Sequence, residues 1–125
     1  MNRLIHVVAA IALLSGCTGD SQDLPATGLT GVVVRGPIQP VCQVDVPCED
    51  APFSATFAVY RGTGRVAQFR SDSLGAFRVG LAPGAYRIVP GPDAPILDPA
   101  GQAKDVEVGA TGFTSVQLTF DTGIR

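Results

Sequence analysis

Short stretches of alternating apolar and polar residues run through the chain from residue 28 to residue 121. The clearest one places Phe53, Ala55, Phe57 and Val59 at every second position, which is typical of a strand with one buried face. Turns rich in glycine and proline separate the stretches. The predicted strands are 28–35, 53–60, 65–70, 76–81, 85–88, 104–108 and 113–121. Seven strands at this spacing, with no helical periodicity after residue 17, predict an all-β, antiparallel sandwich.

The segment 71–88 is the most strongly patterned part of the chain, with two strands that each follow a turn. Asp72 favours the first position of a four-residue turn and Gly75 the last. Pro83 and Gly84 turn the chain again, since proline fixes φ and glycine accepts a positive φ. We expect these residues to serve the scaffold.

The N-terminus has the features of an export signal. Arg3 precedes an apolar run from residue 4 to residue 14, which is too short to span a bilayer as a helix. The following Leu14-Ser15-Gly16-Cys17 resembles the lipobox of bacterial lipoproteins. That resemblance implies a signal peptide at 1–16, which is removed, and a lipid on Cys17; the alternative is an ordinary secretory signal in which Cys17 is incidental.

Residues 17–27 are then interpreted as the lipidated cysteine followed by a flexible tether. The stretch from Thr18 to Thr27 is polar and lacks apolar periodicity, and ten flexible residues reach roughly 15–20 Å. The lipoprotein resemblance also implies a position in the cell envelope. Because Thr18 is not the Asp associated with inner-membrane retention, we expect the outer membrane if the organism is Gram-negative.

Cys42 and Cys48 remain as an even pair in a loop that extends from Gly36 to Pro52 and contains four prolines. In an exported protein such a pair predicts a disulfide. The rival interpretation is a metal site, but the only histidine, His6, lies in the signal, and two thiolates do not complete a structural zinc site. We expect the disulfide.

The net charge of the chain bears on whether nucleic acid is a partner. Removal of 16 residues from 125 leaves 109, and the loss of Arg3 leaves eight basic and eleven acidic side chains, a net charge of −3. One domain of this size holds a single core. The acidic balance and the lack of a basic run argue against a nucleic-acid partner.

Candidate catalytic groups are scarce. Without histidine after the signal there is no Ser-His-Asp or Cys-His arrangement, and no Gly-x-Ser-x-Gly or phosphate-binding Gly-Lys motif is present. Asp45, Glu49 and Asp50 have the oxygen ligands that Ca²⁺ prefers, but calcium sites usually need more ligands in a tight spacing with a Gly turn, so we expect a solvated acidic loop instead. We therefore expect no enzyme activity, no cofactor and no metal.

The turn motifs resemble those of the carboxypeptidase regulatory-like domain. The matching residues are Gly31, Ser71, Asp72, Gly75, Phe77, Leu81, Pro83, Gly84 and Tyr86. The resemblance implies a seven-strand, transthyretin-like (prealbumin-like) sandwich, with a domain at 28–125. These motifs are structural and say little about activity. The Cys42–Cys48 loop departs from the short connection usual in that family.

Two function hypotheses follow. The first is a non-catalytic, lipid-anchored module of the cell envelope that has a structural or protein-interaction role. The alternative is a carbohydrate-binding accessory module, with Tyr60 and Arg61 as candidate ligand contacts, because sugars stack on exposed aromatic rings and the chain has no Trp. The simpler interpretation, which we favour, is that Tyr60 is a rim residue at the end of its strand.

Overall fold

The computed structural model describes residues 26–125, which form two β-sheets packed face to face. Eight strands run through them in chain order, with one short 3-10 helix at Pro99–Gln102. The strands are β1 (Thr27–Gly36), β2 (Ala51–Pro52), β3 (Thr56–Arg61), β4 (Gly64–Arg70), β5 (Ala76–Gly80), β6 (Gly84–Pro90), β7 (Lys104–Val108) and β8 (Gly112–Asp121). The predicted β-sandwich is therefore confirmed.

Strand β1 lies at the centre of the first sheet. It pairs in parallel with β8 along its full length, from Thr27 opposite Gly112 to Gly36 opposite Asp121. Its other edge pairs antiparallel with β5 near the start of β1 and with β2 near its end. The second sheet has the order β4-β3-β6-β7, and all of its pairs are antiparallel.

The observed topology differs from the prediction of seven antiparallel strands in two ways. There are eight strands, because the two residues of β2 pair with Val34 and Arg35 after the disulfide loop. The first sheet is also mixed, because β1 and β8 are parallel. Alternation in a sequence reports which face of a strand is buried, but it does not report which strand becomes its neighbour.

The core is an aromatic cluster that joins the two sheets. The ring of Phe69 on β4 stacks on Phe77 of β5, with centroids 4.4 Å apart, and on its other side it meets Phe57 at 5.1 Å. Phe57 also packs on Phe120 of β8 at 5.8 Å. Such contacts stabilise beyond the area they bury, by about 0.5–1.5 kcal/mol each. The alternating positions of β3 and β8 thus form the interior, as predicted.

The segment 71–88 acts as scaffold, as its turn residues predict. The carboxylate of Asp72 accepts hydrogen bonds from the backbone N–H groups of Leu74 and Ala76, both at 2.9 Å. The buried hydroxyl of Ser71 donates to the carbonyl oxygen of Phe53 at 2.8 Å and accepts from the N–H of Ala55 at 3.0 Å. These bonds tie the turn before β5 to the chain that enters β3.

Gly31 of β1 lies against the backbone of β8. It lies opposite Val116, and a Cβ atom at residue 31 would overlap the carbonyl oxygen of Val116. The overlapping atom belongs to backbone, which cannot rotate out of the way. The close parallel pairing therefore depends on the missing side chain.

Gly31→Ala should lower the free energy of unfolding by about 2–3 kcal/mol and the melting temperature by roughly 10 °C or more, because the methyl group forces the two strands apart. Thermal and chemical denaturation followed by circular dichroism would measure the loss. Gly109→Ala is the matched control, since the nearest heavy atom to its added Cβ, Thr114 Oγ1, lies at 3.5 Å. Equal stability of the two variants would contradict the close approach.

Candidate functional site

The outer surface of the second sheet carries a row of polar side chains around Tyr60. In the strand register Tyr60 of β3 lies opposite Arg65 of β4 on one side and Arg87 of β6 on the other. Arg87 in turn lies opposite Asp105 of β7. Because side chains at facing register positions lie on the same face of a sheet, these four form a line across it. We call this surface the Tyr60 face.

Two concavities on the Tyr60 face share Tyr60 as a wall. The larger, of about 590 Å³, is lined by Tyr60, Gly62, Ala85, Tyr86, Arg87, Asp105, Val106 and Glu107. The other, of about 440 Å³, is lined by Ala58, Tyr60, Arg65, Val89, Pro90, Pro92, Asp98, Pro99 and Ala100. Each combines apolar surface with at least one arginine and one acidic residue. Such a lining suits a ligand that has both ring faces and hydroxyl or charged groups.

The polar groups of the Tyr60 face are accessible to solvent. Arg87 Nε donates to Asp105 Oδ1 at 3.1 Å, but the two side chains are 60% and 77% exposed. An exposed pair of this kind contributes little to stability, about 0–1 kcal/mol. The pair can therefore open towards a ligand at small cost. Within residues 26–125, Arg65 hydrogen-bonds through its side chain to Gln68 alone.

Arg61, the second residue predicted as a candidate ligand contact, lies apart from this row. Its guanidinium lies 5.2 Å from the ring centroid of Tyr86, and its Nη1 donates to the Tyr86 hydroxyl at 3.3 Å. A second bond runs from Nη2 to the carbonyl oxygen of Pro83, also at 3.3 Å. Arg61 thus covers the turn before β6, and Arg65 and Arg87 are the cations beside Tyr60.

The loop between β1 and β2 is the second feature outside the scaffold. Cys42 and Cys48 form a disulfide with their Cα atoms 5.6 Å apart, which confirms the predicted pairing. Within the ring, the N–H of Val46 donates to the carbonyl oxygen of Gln43 at 3.2 Å, and Asp45 has a φ of 66°. The loop therefore ends in a tight turn closed by the disulfide. We call residues 37–50 the disulfide loop.

The disulfide loop exposes aliphatic side chains. Of the seven large hydrophobic residues that are exposed between residues 26 and 125, four lie in it, and Val44 at the turn is 88% exposed. The four are Ile38 (41%), Val41 (73%), Val44 (88%) and Val46 (45%). Single exposed hydrophobic residues are ordinary, but a group of them on one loop is typical of an interaction surface.

The base of the disulfide loop is held by the chain end. The backbone N–H of Thr122 donates to the carbonyl oxygen of Gly36 at 3.0 Å, and its hydroxyl donates to that of Pro37 at 2.6 Å. Just before it, a hydrogen bond from Arg125 and one from the N–H of Gly123 lower the pKa of the Asp121 carboxyl to about 2. These two hydrogen bonds stabilise the folded protein fully above pH 3.8, the ordinary pKa of the carboxyl group. Their stabilisation is lost as the pH falls through about 2.

The remaining predicted site residues have separate positions. Cys17, the predicted lipidation site, lies outside the described residues, as do the predicted signal and most of the tether. Asp45, Glu49 and Asp50 surround the disulfide, and within residues 26–125 no three or more His, Cys, Asp or Glu side chains are grouped as a metal site would require. The same residues contain no helix with the length and hydropathy needed to cross a membrane.

Neither exposed surface was predicted in full from the sequence. Tyr60 was predicted from its place at a strand end, but Arg65 and Arg87 become its neighbours only through the pairing of β3 with β4 and β6. The valines of the disulfide loop do not belong to an alternating run long enough to predict a strand with a buried face. The available signal was their position between prolines and acidic residues, where no strand could bury them.

Comparisons with known proteins show likeness to solved structures but to no family model. No protein-family model matches the sequence, and a search of curated proteins found no match. The crystal structure of a DUF3823 family protein from Bacteroides ovatus ATCC 8483 is similar, with a TM-score of 0.48 and 20% sequence identity. The match covers 77% of this chain and 45% of that chain, so it spans less than half of that protein. The carboxypeptidase regulatory-like family stays a resemblance in the turn motifs.

The disulfide generates a direct prediction. Thiol titration of the exported protein, denatured without a reductant, should find no free thiol at Cys42 or Cys48. Reduction should then release two thiols. In the folded protein, reduction should also speed proteolytic cleavage within residues 37–48, because the closed ring restricts the backbone that a protease must bind. Two free thiols before reduction, or unchanged cleavage after it, would contradict the closed loop.

Proposed function

We propose that this protein is a non-catalytic interaction module that a lipid on Cys17 holds at the bacterial cell envelope. The observation that carries the proposal is the disulfide loop, which displays four aliphatic side chains to solvent on a closed and braced hairpin. Free energy is needed to keep such side chains in water, and a binding partner recovers it by covering them. The turn motifs support a carboxypeptidase regulatory-like domain of the transthyretin-like type as the scaffold.

The positions of the two chain ends of β1 support this arrangement. The predicted tether enters β1 at Thr27, whereas the disulfide loop leaves β1 after Gly36. A strand of ten residues separates these ends by about 30 Å. The point where the predicted tether enters and the point where the disulfide loop leaves are thus one strand length apart, which supports our proposal that the loop projects away from the membrane.

Cys17→Ala should abolish lipid attachment and release the protein from the membrane fraction, because the thiol is the group that is acylated. Metabolic labelling with a radioactive or clickable fatty acid, followed by membrane fractionation, measures both effects. Thr18→Ala is the matched control and should keep the label. Continued labelling of the Cys17→Ala protein would refute the anchor.

A carbohydrate-binding role is the second candidate, and the Tyr60 face is the observation that favours it. An aromatic ring on a sheet surface, with Arg65 and Arg87 on either side and the carboxylates of Asp105 and Glu107 near one of them, can stack on a sugar ring and hydrogen-bond to its hydroxyl groups. The ligand class would be an envelope or cell-surface polysaccharide.

Tyr60→Ala should weaken binding to such a polysaccharide roughly tenfold, which corresponds to about 1.4 kcal/mol for the lost ring face. Affinity electrophoresis or calorimetry with purified envelope polysaccharides would measure it. Tyr60→Phe should keep most of the affinity, since the ring remains, and Leu74→Ala serves as a control at an exposed site elsewhere. Failure of the native protein to bind any member of a broad glycan panel would remove this candidate.

A further inference from the structure

The disulfide loop combines two properties that together describe its partner. Its aliphatic side chains Ile38, Val41, Val44 and Val46 are exposed. The same hairpin also carries three acidic residues, Asp45, Glu49 and Asp50, and no lysine or arginine occurs between residues 36 and 52. A surface complementary to it therefore has an apolar centre and a basic rim.

We propose that the tip of the disulfide loop inserts into an apolar pocket, rimmed by lysine or arginine, on another protein of the envelope. The inference rests on the proposed function, since it names the partner chemistry of that interaction module. Val44 is the central contact because it is 88% exposed and occupies the turn between Gln43 and Val46. Asp45, at the next position, lies where it can meet the basic rim.

The acidic residues divide into one that supports the loop and two that are free for a partner. A Cβ atom at Gly36 would overlap the carboxylate of Asp50, so that this side chain packs against the base of the hairpin. Asp45 and Glu49 are exposed and take part in no ion pair among the described residues. These two carboxylates can therefore be neutralised without disturbing the loop.

The closed shape of the loop suits insertion into a pocket. The disulfide, the turn at Gln43–Val46 and the bonds from Thr122 at its base each remove freedom before any partner is met. A loop that is already ordered loses less conformational entropy on binding than a flexible one. More of the free energy gained by covering the aliphatic side chains is therefore available for binding.

A lipid surface fits the loop less well. The loop leaves β1 about 30 Å from Thr27, where the predicted tether enters the strand. Its three carboxylates would also be repelled by anionic headgroups, which attract basic rather than acidic segments. A protein with a basic rim has neither disadvantage.

Site-specific photocrosslinking in intact cells tests the proposal with the full-length protein. A benzophenone amino acid replaces Val44 in one strain and Leu74 in another, because Leu74 is 73% exposed on a different turn. We expect a discrete protein adduct from position 44 and none from position 74. Asp45→Asn combined with Glu49→Gln should reduce that adduct roughly fivefold through loss of two rim ion pairs. Asp93→Asn, which removes an exposed carboxylate on a different loop, should leave it unchanged.

A zero-length carbodiimide reaction gives a second, chemical readout. It should join Asp45 or Glu49 to a lysine of the protein that position 44 captures. If no such link forms, the partner surface around the mapped photoadduct should contain arginine and no lysine. Thiol titration of each variant shows that the disulfide is intact. An adduct that consists of lipid, polysaccharide or a second copy of this chain, an adduct that ignores the charge changes, or equal capture from positions 44 and 74 would overturn the proposal.

The same cells separate this inference from the anchor. Fatty-acid label on the protein without a loop adduct means that the anchor holds and the pocket inference fails. A loop adduct without fatty-acid label means that the pocket inference holds and the anchor fails.

Discussion

The pairing of both edges of β1 with neighbouring strands is the constraint on which the rest of the structure depends. Strand β1 joins β8 in parallel along ten positions and meets β5 and β2 on its other side. The strand can sit this close to β8 only because residue 31 lacks a side chain. Its two ends fix where the chain enters the sandwich, at Thr27, and where the disulfide loop leaves it, after Gly36.

The scaffold and the exposed surfaces divide the conspicuous residues between them. Asp72, Ser71 and Tyr86 have their polar atoms satisfied by backbone groups close by, at 2.6–3.0 Å, and Tyr86 also receives Arg61 on its hydroxyl. Those residues support the sandwich. By contrast, the side chains on the disulfide loop and the Tyr60 face contact solvent, and the Arg87–Asp105 pair on that face is itself exposed, so that their burial would come from another molecule. The features proposed for recognition are thus the ones that the fold itself does not use.

Much of the fold could be predicted because one face of each strand is buried. Phe57, Val59, Ile88 and Phe120 repeat every second residue with their neighbours, and all four are buried. The strands 104–108 and 113–121 were predicted to within one residue. Strand β2 could not be predicted, because two residues give no periodicity and their pairing with β1 depends on the loop that brings them back. The parallel β1–β8 pair was missed for a similar reason, since pairing involves backbone atoms that all residues share.

By itself, the sequence determined the all-β class, the buried faces, the turn at Asp72–Gly75 and the pairing of Cys42 with Cys48, because each depends on residues near one another in the chain. The tertiary structure alone decided which side chains meet across strands and which remain in water. It placed Arg65 and Arg87 beside Tyr60, directed Arg61 to Tyr86 and left the four aliphatic residues of the disulfide loop uncovered. The physical reason is that exposure and cross-strand contact depend on the partners of a segment, and those partners are distant in sequence.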